Sequence, residues 1–123
     1  MITWMRLRVA RHTDRLEEVV AFYRDRVGFL ETGRFKRHAG YDGVFLEIPG
    51  TGAELELTSG GTHHAPAPHP ESLLVLYFDS HAELDAVARR MAQPPVVPAN
   101  PYWETNAKAY ADPDGFQVLL TLG

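Results

Sequence analysis

Leu73-Leu74-Val75-Leu76-Tyr77-Phe78-Asp79, leading into a helix-forming run from Ala82 to about Met91, is the second appearance of one pattern. The first is Met5-Arg6-Leu7-Arg8-Val9, followed by a helical run that carries Ala21-Phe22-Tyr23 and stops at Gly28-Phe29. After the second helix the chain closes on Tyr110-Ala111-Asp112-Pro113-Asp114-Gly115-Phe116 and an apolar strand. A duplicated strand-to-helix unit of this kind is expected to fold as two half-barrels of sheet facing one cleft. What lines that cleft becomes the functional question.

Around the first strand, residues 3–9 alternate, with Met5, Leu7 and Val9 on one face and Trp4, Arg6 and Arg8 on the other, as a half-buried strand requires. Thr13 or Asp14 can cap the following helix, with Glu17 completing a capping-box-like pattern. Leu16, Val19, Val20, Tyr23 and Val27 give that helix one apolar stripe, and Gly28 is suited to its C-terminus. Strands are predicted at about 29–37, 41–48 and 53–58, separated by Ala39-Gly40 and Pro49-Gly50-Thr51-Gly52. The Gly-, His- and Pro-rich stretch from Ser59 to Pro70 reads as a loop. Beyond it come a strand at 72–78, a helix at about 80–92 ended by Pro94-Pro95, and strands near 96–98, 106–112 and 116–122. The expected organisation is α+β: module one at about 1–58, a linking loop at 59–70 and module two at about 71–123, each βαβββ.

Composition narrows the classes of function. One domain of 123 residues, 45% apolar and 23% charged, suits an ordinary globular protein. No apolar run approaches the roughly 18 residues that span a membrane, and the N-terminus has no signal-peptide pattern. The absence of cysteine removes disulfides, thiolate metal sites and a cysteine nucleophile, and it fits a cytoplasmic setting. A net charge of −4 gives no reason to expect nucleic acid. Nine of the twelve Lys and Arg residues nevertheless lie between Arg6 and Arg37.

Arg8-Val9 before the helix, Phe22-Tyr23-Arg24 to Gly28-Phe29, Glu54-Leu55-Glu56-Leu57 and Ala111-Asp112-Pro113-Asp114-Gly115-Phe116 follow one another in an order that covers nearly the whole chain. In this order and spacing the chain resembles the vicinal oxygen chelate superfamily, which includes glyoxalase I, bleomycin-resistance proteins and extradiol dioxygenases, and looks most like a small bacterial branch of it. The resemblance implies a glyoxalase/bleomycin-resistance-like fold, usually dimeric. In metal-dependent members it also implies four ligand positions, which fall here on Trp4, Glu56, Leu73 and Leu119. Trp and Leu offer no lone pair to a divalent cation, and one carboxylate cannot fix one. No metal and no cofactor are therefore expected. His63, His64 and His69 share a loop without a rigid element to present them, and His12, His38 and His81 are isolated in sequence.

If Trp4 faces inward, alternation carries Arg6 and Arg8 with it, Glu54 accompanies Glu56, and Tyr77 accompanies Leu73 and Val75. Lys108 and Tyr110 are expected on the cleft face, with Ala107, Ala109 and Ala111 toward a helix. Tyr102 and Trp103 could stack on a flat ligand. The expected ligand-binding set is Trp4, Arg6, Arg8, Glu56, Tyr77, Tyr102, Trp103, Lys108 and Tyr110. Arg8 could clamp an anion or be held by Glu56, with Arg6 on Glu54. Asp112 and Asp114 are expected to make a turn and not to act chemically.

Three readings follow. The first is metal-free binding of a small organic molecule, aromatic and/or anionic, by a homodimer with no nucleic-acid or membrane partner. The second is a metal-dependent lyase, epimerase or dioxygenase with an altered site. No catalytic residue is identified, Glu56 being the best candidate for a general base. The third is a structural or interaction module whose cleft its own side chains fill.

Overall fold

The computed structural model describes residues 1–65 and 67–123 and divides into two compact units, Met1–Ala65 and Pro66–Gly123. The first unit runs β1 (Arg8–His12), α1 (Leu16–Ala21), a π-helical continuation (Phe22–Val27), β2 (Leu30–His38), β3 (Tyr41–Glu47) and β4 (Glu54–Gly60). Its sheet has the order β1-β4-β3-β2, with β1 parallel to β4 and the other pairs antiparallel. The second unit runs β5 (Leu73–Phe78), α2 (His81–Arg90), α3 (Pro101–Asn106), β6 (Lys108–Ala111) and β7 (Gln117–Leu122), with sheet order β5-β7-β6.

The helix of the first unit covers one face of its sheet. Leu55, Leu57, Val44 and Leu46 meet Val19, Val20, Phe22, Tyr23 and Phe29, all buried. The opposite face carries Glu54, Glu56 and Thr58 of β4, as the period of two demands. The helix ends at Gly28, whose φ of 101° is open to glycine and strained for other residues. In the second unit Leu84, Val87 and Met91 seat α2 over the sheet.

Several expectations are corrected here. Strand β1 starts at Arg8, and residues 1–7 belong to no strand. The ladder decides this: β4 begins at Glu54, after the turn through Gly50 and Gly52, and pairs from Arg8 onward. The Glu54 amide, donating to the Leu7 carbonyl at 3.0 Å, makes the first bond of this ladder. Met5, Leu7 and Val9, expected to share one face of a half-buried strand, are 74%, 61% and 51% exposed. The capping box does not form, because Glu17 turns to Arg34 while the Thr13 hydroxyl accepts from the Arg15 amide. The strand expected at 96–98 reduces to one bridge, Val96 to Ala109. Tyr102 and Trp103 lie on α3, a helix that starts with Pro101 behind an Asn100 cap. Asp112 does make the expected turn: its Oδ1 accepts from the amides of Asp114 and Phe116 at 2.8 and 3.1 Å.

A charged network ties the helix of the first unit to β2. Glu31 receives Arg24 Nη1 at 2.9 Å, and Arg34 Nε and Nη2 each at 2.9 Å. These hydrogen bonds, Arg34's first, hold the Glu31 carboxyl down to about 2. A depressed carboxylate stabilises the fold above its ordinary pKa near 4.5, and that stabilisation is lost as pH falls toward 2. The side chains are a quarter to two-fifths exposed, so solvent screens much of the effect. The urea midpoint of the natural protein is expected to exceed that of Glu31→Gln at pH 7. The gap should close between pH 4.5 and 2; a gap unchanged across that range would refute the assignment.

Candidate functional site

The face of the first sheet away from its helix is built around Arg8. Register pairs Arg8 with Glu54, Ala10 with Glu56 and His12 with Thr58, and β3 adds Phe45 opposite Glu56 and Gly43 opposite Thr58. Arg8 Nε and Nη2 donate to one oxygen of Glu54 at 3.1 and 3.0 Å. Its Nη1 lies 3.8 Å from Glu56, and its guanidinium sits over the Phe45 ring, 4.6 Å from the centroid. A cation held this way gains from both the carboxylate and the ring quadrupole. Arg6 approaches the same Glu54 oxygen at 3.8 Å. Both arginine–glutamate contacts expected from the sequence, Arg6–Glu54 and Arg8–Glu56, are present at 3.8 Å, and Arg8 adds the shorter bonds to Glu54.

Beside this group, the Phe35 ring lies over Gly43, its cross-strand partner, where any side chain on residue 43 would collide with it. Phe35 and Phe45 stand 5.9 Å apart. Two rings, an arginine and two glutamates whose side chains are only 15% and 17% exposed thus share one surface. At the far end stands His12. Its Nε2 donates to the His63 carbonyl at 3.1 Å, so its Nδ1 accepts from the Thr58 hydroxyl at 3.0 Å in the neutral ring.

The remaining expected residues are placed as follows. Trp4 stands outside the strands, 76% exposed. Tyr77, in β5, is 63% exposed. Tyr102 and Trp103 pack edge to face with centroids 4.9 Å apart on α3, Tyr102 outward. Lys108 and Tyr110 reverse expectation. Lys108 Nζ lies 3.7 Å from Asp85 of α2, and Tyr110 is buried opposite Val118, so both take the α2 face of the sheet and the alanines take the other. Burial pushes the Tyr110 phenol up, as for a core tyrosine. The structure therefore brings Arg6, Arg8 and Glu56 together in the first unit and adds Glu54, Phe45 and Phe35, the two rings having gone unrecognised in the sequence. Register would have found Phe45, which sits directly across from Glu56. On the face of the second sheet away from α2, the Gln117 side-chain oxygen is buried without a hydrogen-bond partner among the described residues.

The donor set does not fit the family metal. Leu73 and Leu119 occupy β5 and β7 as hydrocarbon, Leu119 fully buried, and Trp4 lies outside the sheet. Among the described residues no three His, Asp or Glu come together as a metal would require. In the linking loop the His63 carbonyl serves His12, His64 faces Asp14 at 3.8 Å, and His69 Nδ1 accepts from the Glu71 amide. Among the described residues no helix is long and apolar enough to cross a membrane.

A strand, a helix and an antiparallel ladder, closed back in parallel onto the first strand and then repeated, define a protein of the vicinal oxygen chelate superfamily. Residues 7–58 match the YycE-like N-terminal domain and residues 71–121 the YycE-like C-terminal domain. YycE of Bacillus subtilis strain 168 is 37% identical over 118 residues, covering 93% of this chain and 85% of its own. The chain belongs to the YycE-like family. The crystal structure of B. subtilis YycE, a protein of unknown function proposed to be a glyoxalase/fosfomycin resistance protein, superposes with a TM-score of 0.88 at 34% identity, over 96% of this chain and 89% of that one. The fold is shared at lower identity by TnmS3, an antibiotic-binding protein from Streptomyces sp. CB03234 (TM-score 0.70, 21% identity, 99% of this chain and 98% of that one). It is also shared by the fosfomycin resistance protein FosX from Mesorhizobium loti (TM-score 0.68, 15% identity, 100% and 94%).

Proposed function

We propose that this protein binds a small organic molecule, aromatic and/or anionic, without a metal ion, in the manner of bleomycin-resistance proteins. The observation that carries the reading is the Arg8 group: a guanidinium held over Phe45 and latched to Glu54, with Phe35 alongside. Such a surface offers ring faces for stacking and one cation for an acid. The latch satisfies Arg8 and Glu54 within the chain. An arriving carboxylate replaces Glu54 on Arg8, and a planar body covers the two phenylalanines. Glu56, held only at 3.8 Å, is left to accept a hydrogen bond from the ligand.

The antibiotic binding named for TnmS3 agrees with this reading, since that protein shares the fold. A homodimer belongs to the proposal as well: Trp4, Met5, Leu7 and Val9 leave apolar surface in water that a partner copy would cover. The cysteine-free chain fits the cytoplasm.

The test is a panel of aromatic carboxylates added to EDTA-treated, isotope-labelled protein and followed by amide NMR. Binding that perturbs Arg8, Phe45 and Glu56 is expected. A panel that binds only after a divalent metal is restored would favour the lyase or dioxygenase alternative, and no binding under either condition would favour a structural module.

A further inference from the structure

We propose that the second unit holds a separate binding site, on the α2 side of its sheet, for small organic acids with an apolar body. A solvent-open crevice of about 550 Å³ lies there between α2, the end of α3 and β6. It exists because α2 seats its apolar stripe toward β5 and β7, leaving the edge strand β6 uncovered at its first residue, Lys108. Leu84, Leu120 and Leu122 supply hydrocarbon to its lining, while Lys108, Asp85 and His81 supply the charged and polar rim.

The volume lies within the range of small-molecule pockets, and the mixed lining suits a molecule with two unlike ends. Lys108 is the one fixed cation of the lining, and its Asp85 partner stands 3.7 Å away with both side chains about half exposed. Exposed pairs of this length hold weakly, so a ligand carboxylate can take the lysine while Asp85 turns to water. His81 opens the ten-residue α2, whose positive dipole end favours an anionic head on the same side.

Octanoate, titrated into the isotope-labelled full chain, tests this. Perturbed amides are expected at 81–85, 105–108 and 120–122. Lys108→Met should weaken binding several-fold, and Lys36→Met, on β2, should leave it unchanged. Asp85→Asn should tighten binding several-fold by removing the competing carboxylate. Perturbations centred on Arg8, shifts scattered over the surface, or equal affinity in Lys108→Met would each overturn the proposal. Because the Arg8 group is read in the same spectra, failure here is distinguishable from failure of the first site.

Discussion

Leu57→Ala is expected to remove about 2–5 kcal/mol of folding stability, the usual result of emptying a buried leucine position. Leu57 is fully buried, faces the helix of the first unit and pairs in register with Val44 of β3 and Arg11 of β1. Its deletion therefore leaves a void beneath the central strand, where neighbours on both sides are fixed by ladders. Domains of this size are stable by only about 5–15 kcal/mol, so one such change is a large fraction of the total. The urea midpoint, read by tryptophan fluorescence and circular dichroism, gives the measurement. A loss under 1 kcal/mol would mean that the layer repacks and that β4 is not the rigid base on which Glu54 and Glu56 depend.

The second large effect concerns the latch. Glu54→Gln keeps the side-chain shape and removes the charge that binds Arg8 Nε and Nη2. An aromatic carboxylate that binds the natural protein should bind this variant about tenfold more tightly, because it no longer competes with Glu54 for the guanidinium. Arg8→Met should do the reverse. Charge-assisted hydrogen bonds contribute about 1.5–3 kcal/mol, which corresponds to roughly 10- to 150-fold in affinity. Calorimetric titration of the three proteins separates the cases. Weaker binding by Glu54→Gln would show that Glu54 itself contacts the ligand.

Strand and helix identities were largely legible, because periods of two and three-and-a-half are written directly in residues such as Leu55/Leu57 and Val19/Val20/Tyr23. What alternation cannot supply is the partner. Met5, Leu7 and Val9 alternate well enough for a strand, yet β4 offers its ladder only from Glu54, and the pattern upstream of Arg8 has nothing to pair with. Lys108-Ala109-Tyr110-Ala111 reads equally well with either face inward. Val118 and Leu120 of β7, together with Asp85 of α2, decide in favour of burying Tyr110.

The candidate site was half legible for the same reason. Arg8 and Glu56 stood out as charged residues in strands, whereas Phe45 is an unremarked aromatic until register sets it against Glu56. The short helix α3 was signalled by Asn100-Pro101, a cap followed by a first-turn proline. That signal was overshadowed by the two aromatics behind it.

The central claim is that Glu56 stands without companion ligands and that binding proceeds without a metal. Metal analysis of the purified protein, followed by thermal shift with Zn²⁺, Ni²⁺, Mn²⁺ and Fe²⁺, tests it most directly. No stoichiometric metal and no saturable rise in Tm are expected. One tightly held ion per chain, lost in Glu56→Gln, would contradict it and make a metal-dependent lyase or dioxygenase the leading reading.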